Sequence, residues 1–161
     1  MKINKLKKVL IALDYDPTAQ IVAETGFALA KTMNAEVILL HVISDPIYYA
    51  SIEHVTVMGF VGNMENIPLQ LNDADEVKKL SQNFLEKSKH HLGDQAIQTL
   101  VTEGDFADSI LKTSEEMKVD IIVMGSHSKR WLDEILLGSV TERVLHHTSI
   151  PLFIIPTKQK K

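Results

Sequence analysis

VDIIVMGSHSKRWLDEILLGSVTERV, residues 119–144, contains the pattern that decides the fold of this chain. An apolar run that indicates a buried strand ends at Gly125-Ser126, and a second pair, Gly138-Ser139, opens a helical pattern. A helix N-terminus carries unpaired N–H groups, and glycine lets the backbone approach a ligand closely. The two turns are therefore a candidate cradle for an anion such as phosphate.

A purely structural interpretation of the second turn stays open. Ser139 and Glu142 have the spacing of a capping box, in which Ser139 would cap its own helix and bind nothing else. The two interpretations are compatible, because a capping hydroxyl can turn towards a ligand.

The same alternation of apolar runs and helical patterns extends over the whole chain. Strands are expected at Lys8–Leu13, Glu36–Ile43, Ala96–Thr102, Asp120–Met124 and Ile150–Pro156. The first helix is expected after an N-cap and first-turn proline at Asp16-Pro17, with Ile21, Thr25, Ala28, Leu29 and Thr32 at helical spacing. Further helices are expected at Asp73–Leu92, where Asp73 and Glu76 are spaced as a capping box and Gly93 ends the helix, at 104–117, opened by Gly104-Asp105, and at Ser139–His147.

This order predicts an α/β fold with a single doubly wound sheet of five parallel strands and helices on both faces. Strands that are apolar on both sides suit a covered parallel sheet, and right-handed crossovers dictate the winding. In such sheets ligands bind beyond the carboxyl ends of the strands, where the strand order reverses.

The totals are typical of an ordinary globular protein. The chain has 161 residues, which favours one domain over 1–161, with 45% apolar and 24% charged residues. The net charge of −4 argues against a nucleic-acid-binding surface, and no apolar run is long enough for a membrane span or a signal peptide. Because cysteine is absent, disulfides and thiol chemistry are excluded. We expect a cytoplasmic protein.

Two segments lie outside the alternation. Residues 44–72 are long for a connection yet rich in apolar residues, and we expect a small cluster over the sheet edge there; a ligand lid or a dimer contact is the alternative. The basic tail, 157–161, is expected to be flexible.

Two common nucleotide signatures are missing. No G-x-x-x-x-G-K-[ST] motif occurs, and no G-x-G-x-x-G motif follows the first strand. The chain is therefore neither a P-loop nucleotidase nor a dinucleotide-binding protein by these patterns.

The chain resembles the universal stress protein family. That family has a strand ending in Met-Gly, then G-x-x-G, nine residues and G-[ST]; here Gly125-Ser126-His127-Ser128 is followed by nine residues and Gly138-Ser139. The likeness extends to Val9–Asp14, VILLHVI at 37–43, VDIIVMGSHS at 119–128, ILLGSVTERV at 135–144 and Ile150-Pro151, and ILLGSVTE is close to the nucleotide-binding branch. The resemblance implies an adenine nucleotide alpha hydrolase-like fold with strand order 3-2-1-4-5.

The resemblance also implies a site for ATP or a related adenine nucleotide, with Mg²⁺ or Mn²⁺ held on the phosphates and not by protein side chains. Ala12 and Asp14 would border the nucleoside, the backbone of Val42 would read the adenine edge, and Met124 and Gly125 would border the ribose. Gly125–Ser128 and Gly138, Ser139 and Val140 would hold the phosphates. Ser128 replaces the second glycine of the motif, and a serine forced to positive φ costs about 1–2 kcal/mol.

Other polar residues have structural interpretations. Asp14 is alternatively part of the start of the first helix, and Lys129 and Arg130 are solvated cations if they do not neutralise phosphate. Trp131 is expected to pack its loop onto the fold, and His41 to be a hydrogen-bonded core histidine. The adjacent pairs His90-His91 and His146-His147 point apart on their helices, so neither pair shares a metal.

The last strand, Ile150–Ile155, is apolar and expected at a sheet edge, where pairing with its own copy would cover it. Family members commonly dimerise in this way, so the resemblance implies a homodimer.

We expect an ATP-binding, nucleotide-responsive stress regulator with little or no hydrolysis, since no base poised to activate water is identifiable. The alternatives are a dimeric interaction module that has lost nucleotide, and an adenylyl-transfer enzyme.

Overall fold

The computed structural model describes residues 3–44, 74–126 and 137–157. Along these residues strands and helices alternate as β1 (Lys8–Ala12), α1 (Ala19–Met33), β2 (Glu36–Ile43), α2 (Ala74–Leu92), β3 (Gln98–Glu103), α3 (Phe106–Glu116), β4 (Ile121–Gly125), α4 (Ser139–His147) and β5 (Leu152–Ile155). The expected bounds of β2 and α4 are confirmed, and those of the other strands and of α2 and α3 agree to within two residues.

The five strands form one parallel sheet in the order β3-β2-β1-β4-β5, which confirms the expected fold class and strand order. In the centre, Leu10 of β1 pairs with Ile38 of β2 on one side and with Ile122 of β4 on the other. The strand order therefore reverses between β1 and β4, and this is where a ligand crevice forms in a doubly wound sheet.

The sheet is covered on both faces, as the continuous apolar runs predict. On one face the buried residues Val9, Ile11 and Leu39 pack in one cluster with α1 and with Phe84 of α2. On the other face the buried residues of the sheet pack with α3 and α4, through Leu10, Leu40, Ile122, Ile110 and Val144. Burying a side chain of this size contributes roughly 1.5–3 kcal/mol, so the two clusters dominate stability.

Helix α1 lies on the sheet through small residues. Its buried positions include Ala23, Gly26 and Ala30, whereas Ile21 is 48% exposed. The helix expected from the spacing of Ile21, Thr25, Ala28, Leu29 and Thr32 is present, but Ile21, Ala28 and Thr32 point to solvent. The reason is close approach: a Cβ on Gly26 would lie 2.9 Å from Ile11 Cδ1 and 3.0 Å from Val123 Cγ1.

The helix ends are set by local hydrogen bonds. The expectation that Asp16-Pro17 caps α1 is wrong, because Thr18 is the N-cap and the Asp16 carboxylate accepts from Thr18 N and Oγ1, at 2.9 and 2.6 Å. Gly93 ends α2 as predicted, with φ +74° and its N–H directed at two carbonyls of the last turn. Asp105 caps α3 by accepting from Asp108 N at 3.1 Å.

Several expectations lie outside the described residues. These are the apolar cluster expected in residues 44–72, of which only Ser44 is described, the capping role of Asp73, and the tail beyond Thr157. Within the described part, no helix is both long enough and apolar enough to cross a membrane.

We predict that Gly26→Val lowers the free energy of unfolding by about 2 kcal/mol, because the added carbons overpack the contact between α1 and the sheet. Urea titration followed by circular dichroism measures this change. Ala28→Val is the matched control, since it adds a branched side chain to the exposed side of the same helix. Its expected effect is below about 1 kcal/mol, and equal effects of the two variants would contradict the close approach of α1.

Candidate functional site

The candidate site lies at the carboxyl edge of the sheet, beside the reversal between β1 and β4. The register pairs Ile11 with Val123, so Ala12 and Met124 follow side by side at the ends of these strands. Ala12 is half-buried, and Met124 is buried against the α3 and α4 face. Gly125, the last residue of β4, pairs with Ile155 of the edge strand.

The two Gly-Ser reversals meet. Gly138 N donates to Ser126 O at 3.1 Å, which ties the start of α4 to the chain just after β4. Thr141 Oγ1 adds a second tie by donating to Gly125 O at 2.9 Å. The expected proximity of the two turns is therefore present in the backbone itself.

Helix α4 begins with three amides directed at this edge. Gly138 is the N-cap, with extended backbone angles, and its carbonyl accepts the first helical bond from Glu142 N at 2.9 Å. The amides of Ser139, Val140 and Thr141 precede that bond and so have no partner within the helix. Together with the helix dipole they favour a negative group.

The structure corrects the capping prediction for Ser139. Because Gly138 occupies the N-cap position, Ser139 is the first helical residue and does not form the capping box. Its side chain is exposed, and no hydrogen bond joins its hydroxyl to another residue in the described part of the chain. The buried Gly138 and the half-buried Val140 flank it. Ser128, Lys129, Arg130 and Trp131 lie outside the described residues.

At the other end of the crevice, β1 ends against β2. Leu13 N donates to Leu40 O at 2.8 Å, so the backbone groups of Leu40 point towards β1. Backbone directions alternate along a strand, and Val42 therefore points its N–H and C=O to the same side, just beyond the end of β1. The side chain of Val42 is buried.

Asp14 follows the end of β1 and is exposed. Its Oδ1 accepts from Asp16 N at 3.1 Å, which folds residues 14–16 into a tight turn before α1. Asp14 therefore has a structural role in the turn that leads into the first helix, which was the alternative interpretation of this residue. Asp14 lies at the carboxyl edge of β1, two residues beyond the end of the strand.

Ser126 has a role that the sequence reasoning missed. Its N–H donates to Ile155 O at 2.8 Å, its Oγ accepts from Thr157 N at 3.0 Å, and its carbonyl accepts from Gly138. Thr141 was missed as well. Neither has a local sequence signal, because every one of these bonds joins residues that are distant along the chain.

His41 lies buried behind this edge, as expected of a core histidine. Its Nδ1 is 2.8 Å from Leu13 O; the carbonyl can only accept, so Nδ1 carries the proton. Burial lowers the pKa of His41 to about 4, opposed by the bond to Leu13, so the ring is neutral at pH 7. Burial likewise raises the pKa of Tyr15 to about 12, opposed by a hydrogen bond with Ser81.

The described residues hold no group of three or more His, Cys, Asp or Glu side chains that could bind a metal ion. At the start of α4, the described residues offer backbone amides and the hydroxyl of Ser139, which are anion ligands. The arrangement can bind a phosphate group, and it can bind a cation through that phosphate.

Comparisons with known proteins show a family likeness over nearly the whole chain. The model of the universal stress protein family matches residues 5–156. The universal stress protein MJ0577 of Methanocaldococcus jannaschii is 32% identical over 155 residues, which cover 94% of this chain and 96% of that protein. Universal stress protein YxiE of Bacillus subtilis is 29% identical over 150 residues, covering 92% and 97%.

Solved structures are similar over nearly the full length. The structure of MJ0577 superposes with a TM-score of 0.69 at 30% identity and covers 98% of this chain and 100% of its own. A universal stress protein in complex with cAMP superposes with a TM-score of 0.64, covering 96% and 100%; at 16% identity this likeness concerns the fold alone.

We predict that the buried His41 makes folding stability depend on pH. An unfolded histidine has a pKa near 6.5, whereas the folded value is about 4, so the unfolded state binds more protons between these values. The free energy of unfolding should be highest above pH 6.5 and fall as the pH is lowered towards 4, by on the order of 3 kcal/mol. Urea titrations at steps from pH 7 to 4.5 measure this slope.

The slope should shrink in His41→Phe and remain in His90→Gln, because His90 is exposed. The carboxylates with lowered pKa values titrate mainly at lower pH. The pKa of Asp105, for example, is lowered by hydrogen bonds from the Asp108 amide and from Arg143. A slope between pH 6.5 and 4.5 that survives in His41→Phe would show that His41 is not its source.

Proposed function

This chain belongs to the universal stress protein family, and on that premise we propose that it binds ATP as a cytoplasmic, homodimeric, nucleotide-responsive stress regulator. The observation that carries the proposal is the bond between Gly138 N and Ser126 O, which brings the two Gly-Ser turns together at the order reversal of the sheet. Another protein of this fold has been solved in complex with cAMP, and the proposal takes the adenine nucleotide as its class of ligand from that complex.

The phosphates would bind at the start of α4. The amides of Ser139 and Val140, with the N-terminal dipole of the helix, stabilise negative charge, and the Ser139 hydroxyl adds a donor. Gly125 and Gly138 let the phosphates approach the backbone, and Ser128 would complete the loop. Mg²⁺ or Mn²⁺ would bind to the phosphate oxygens and screen their charge.

The nucleoside would bind beyond the end of β1. The direction of the Val42 backbone suits recognition of the adenine edge, and Asp14 is exposed where a ribose hydroxyl can reach its carboxylate. Ala12 and Met124 would form the floor below the sugar. A carboxylate that accepts from a ribose hydroxyl forms a charge-assisted bond, which favours a nucleoside over phosphate alone.

Fast hydrolysis is not part of the proposal. Fast turnover requires a base within hydrogen-bond reach of the attacking water at the phosphate end. Among the described residues, the groups at the start of α4 are amides and the hydroxyl of Ser139, which bind charge without accepting a proton from water. We propose that the protein holds ATP with little or no turnover.

The homodimer would form through β5. This strand is the sheet edge, and Phe153 on it is 39% exposed. Pairing of two copies of β5 would satisfy the outer backbone groups of both strands and cover the exposed aromatic ring.

A second candidate function is a dimeric interaction module that has lost nucleotide. Ser128 favours it: if this position needs positive φ, a serine costs about 1–2 kcal/mol, and ~1.4 kcal/mol is a tenfold loss of affinity. Ser128→Gly separates the candidates: binding that appears only in this variant supports the interaction module for the natural sequence.

We predict that Ser139→Asp lowers ATP affinity at least tenfold, because its carboxylate repels the phosphates, while leaving thermal stability unchanged or higher, since an acid in the first turn suits the helix dipole. Isothermal titration calorimetry with ATP and Mg²⁺ measures the affinity. Ser139→Asn is the control, with equal size and no charge, and should lose only a few-fold. Wild-type protein that is purified nucleotide-free and gives no heat at millimolar ATP would reject the proposed function.

We predict that Phe153→Lys converts the dimer to a monomer at micromolar concentration, because it places a charge on the edge strand. Size-exclusion chromatography with light scattering reports the mass. Ile3→Lys alters an even more exposed apolar residue, before the start of β1, and should leave the dimer intact. A wild-type protein that is monomeric in this measurement would exclude the homodimer.

A further inference from the structure

Three aromatic rings are packed together directly behind the segment that leaves β1. The ring centroid of Tyr15 lies 4.4 Å from that of His41 and 5.0 Å from that of Phe84, and His41 and Phe84 are 5.8 Å apart. His41 belongs to β2 and Phe84 to α2, and both are almost completely buried. The cluster therefore joins two elements of the core to the loop that carries Asp14.

Polar bonds fix this loop on both sides of Asp14. On one side, the His41 ring donates from Nδ1 to Leu13 O at 2.8 Å, while Leu13 N donates to Leu40 O at 2.8 Å. On the other side, the Tyr15 hydroxyl and Ser81 Oγ form a hydrogen bond and lie 2.7 Å apart. Asp14 is thus the exposed residue between two residues that are anchored to the core.

If the side chain at position 41 served only for packing, a histidine would cost more free energy to bury than an apolar residue. The site is buried, so the ring gives up hydration, whereas phenylalanine would fill a similar volume without a polar atom. What histidine adds is one donor aimed at the Leu13 carbonyl. That donor fixes the direction of the chain one residue before the exposed carboxylate.

We propose that His41 and Tyr15 are positioning residues for Asp14, holding its carboxylate where the nucleoside of the ligand binds. The inference rests on the proposed function and adds that different parts of the protein hold the two ends of the ligand. The phosphate end depends on the backbone of α4, whereas the nucleoside end depends on this clamp, defined as His41, Tyr15 and their partners Leu13 and Ser81.

Binding measurements on variants test the clamp. His41→Phe keeps a ring and removes the donor, and Tyr15→Phe removes only the hydroxyl. We expect about a tenfold loss of affinity for Mg-ATP in His41→Phe and a loss of several-fold in Tyr15→Phe. Affinity for adenosine should fall by the same factors, and affinity for inorganic tripolyphosphate should not change, because the clamp acts on the nucleoside end.

A matched control separates positioning from stability. Ser88→Ala removes a buried hydroxyl bond to Phe84 O, 2.8 Å long, on the same helix face but away from Leu13 and Asp14. It should reduce thermal stability yet change ATP affinity less than twofold. His41→Gln retains an N–H donor and should recover part of the affinity that His41→Phe loses.

The decisive measurement is a double-mutant cycle with Asp14→Asn. If His41 acts through Asp14, the tenfold effect of His41→Phe on ATP affinity should shrink to less than about threefold once the carboxylate is absent. An undiminished effect in the Asp14→Asn background, or an equal loss in Ser88→Ala, would overturn the clamp while the proposed function stands. Wild-type protein that binds neither ATP nor adenosine would overturn both.

Discussion

The hydrogen bond from Gly138 N to Ser126 O is the constraint on which the candidate site depends. It joins the end of β4 to the start of α4, and so aims the first amides of that helix back across the carboxyl edge of the sheet. A second bond, from Thr141 Oγ1 to Gly125 O, fixes the rotation of the same helix. Because both acceptors are backbone carbonyls, the geometry depends on main-chain positions more than on the identity of any charged side chain.

Ser126 extends this constraint to the edge of the sheet. Through its N–H and its Oγ it holds Ile155 and Thr157, so the turn that would contact phosphate and the end of β5 are bonded to one residue. The side-chain bond covers a stretch where the strand has already ended and ladder bonds no longer hold the chain. A ligand at the turn and a partner at the edge strand would therefore contact backbone segments that are joined through Ser126.

Much of the fold could be predicted from the sequence, because strands buried on both faces give continuous apolar runs such as Val37–Ile43, and their alternation with helices leaves few topologies. The buried face of α1 could not. Hydrophobicity favours Ile21, but close packing on Ile11 and Val123 requires the small residues Ala23 and Gly26. The N-caps of α1 and α4 were predicted wrongly for a related reason: a polar side chain such as that of Asp16 or Ser139 has several local partners, and the chain path outside the helix selects among them.

The site divides between what the sequence reveals and what folding creates. The Gly-Ser pairs can be read from the sequence. The contact between the two turns is a bond from Gly138 N to Ser126 O, and every residue type has these backbone atoms, so the sequence does not indicate it. His41 could be assigned to the core from its apolar neighbours, but its acceptor, Leu13 O, lies 28 positions away. Helix N-termini bind anions of many kinds, so under the proposed function selectivity for a nucleoside would come from the other end of the crevice. There the exposed Asp14 lies between residues held by buried rings, and a carboxylate fixed in this way loses less entropy on binding a ribose than one on a loose loop.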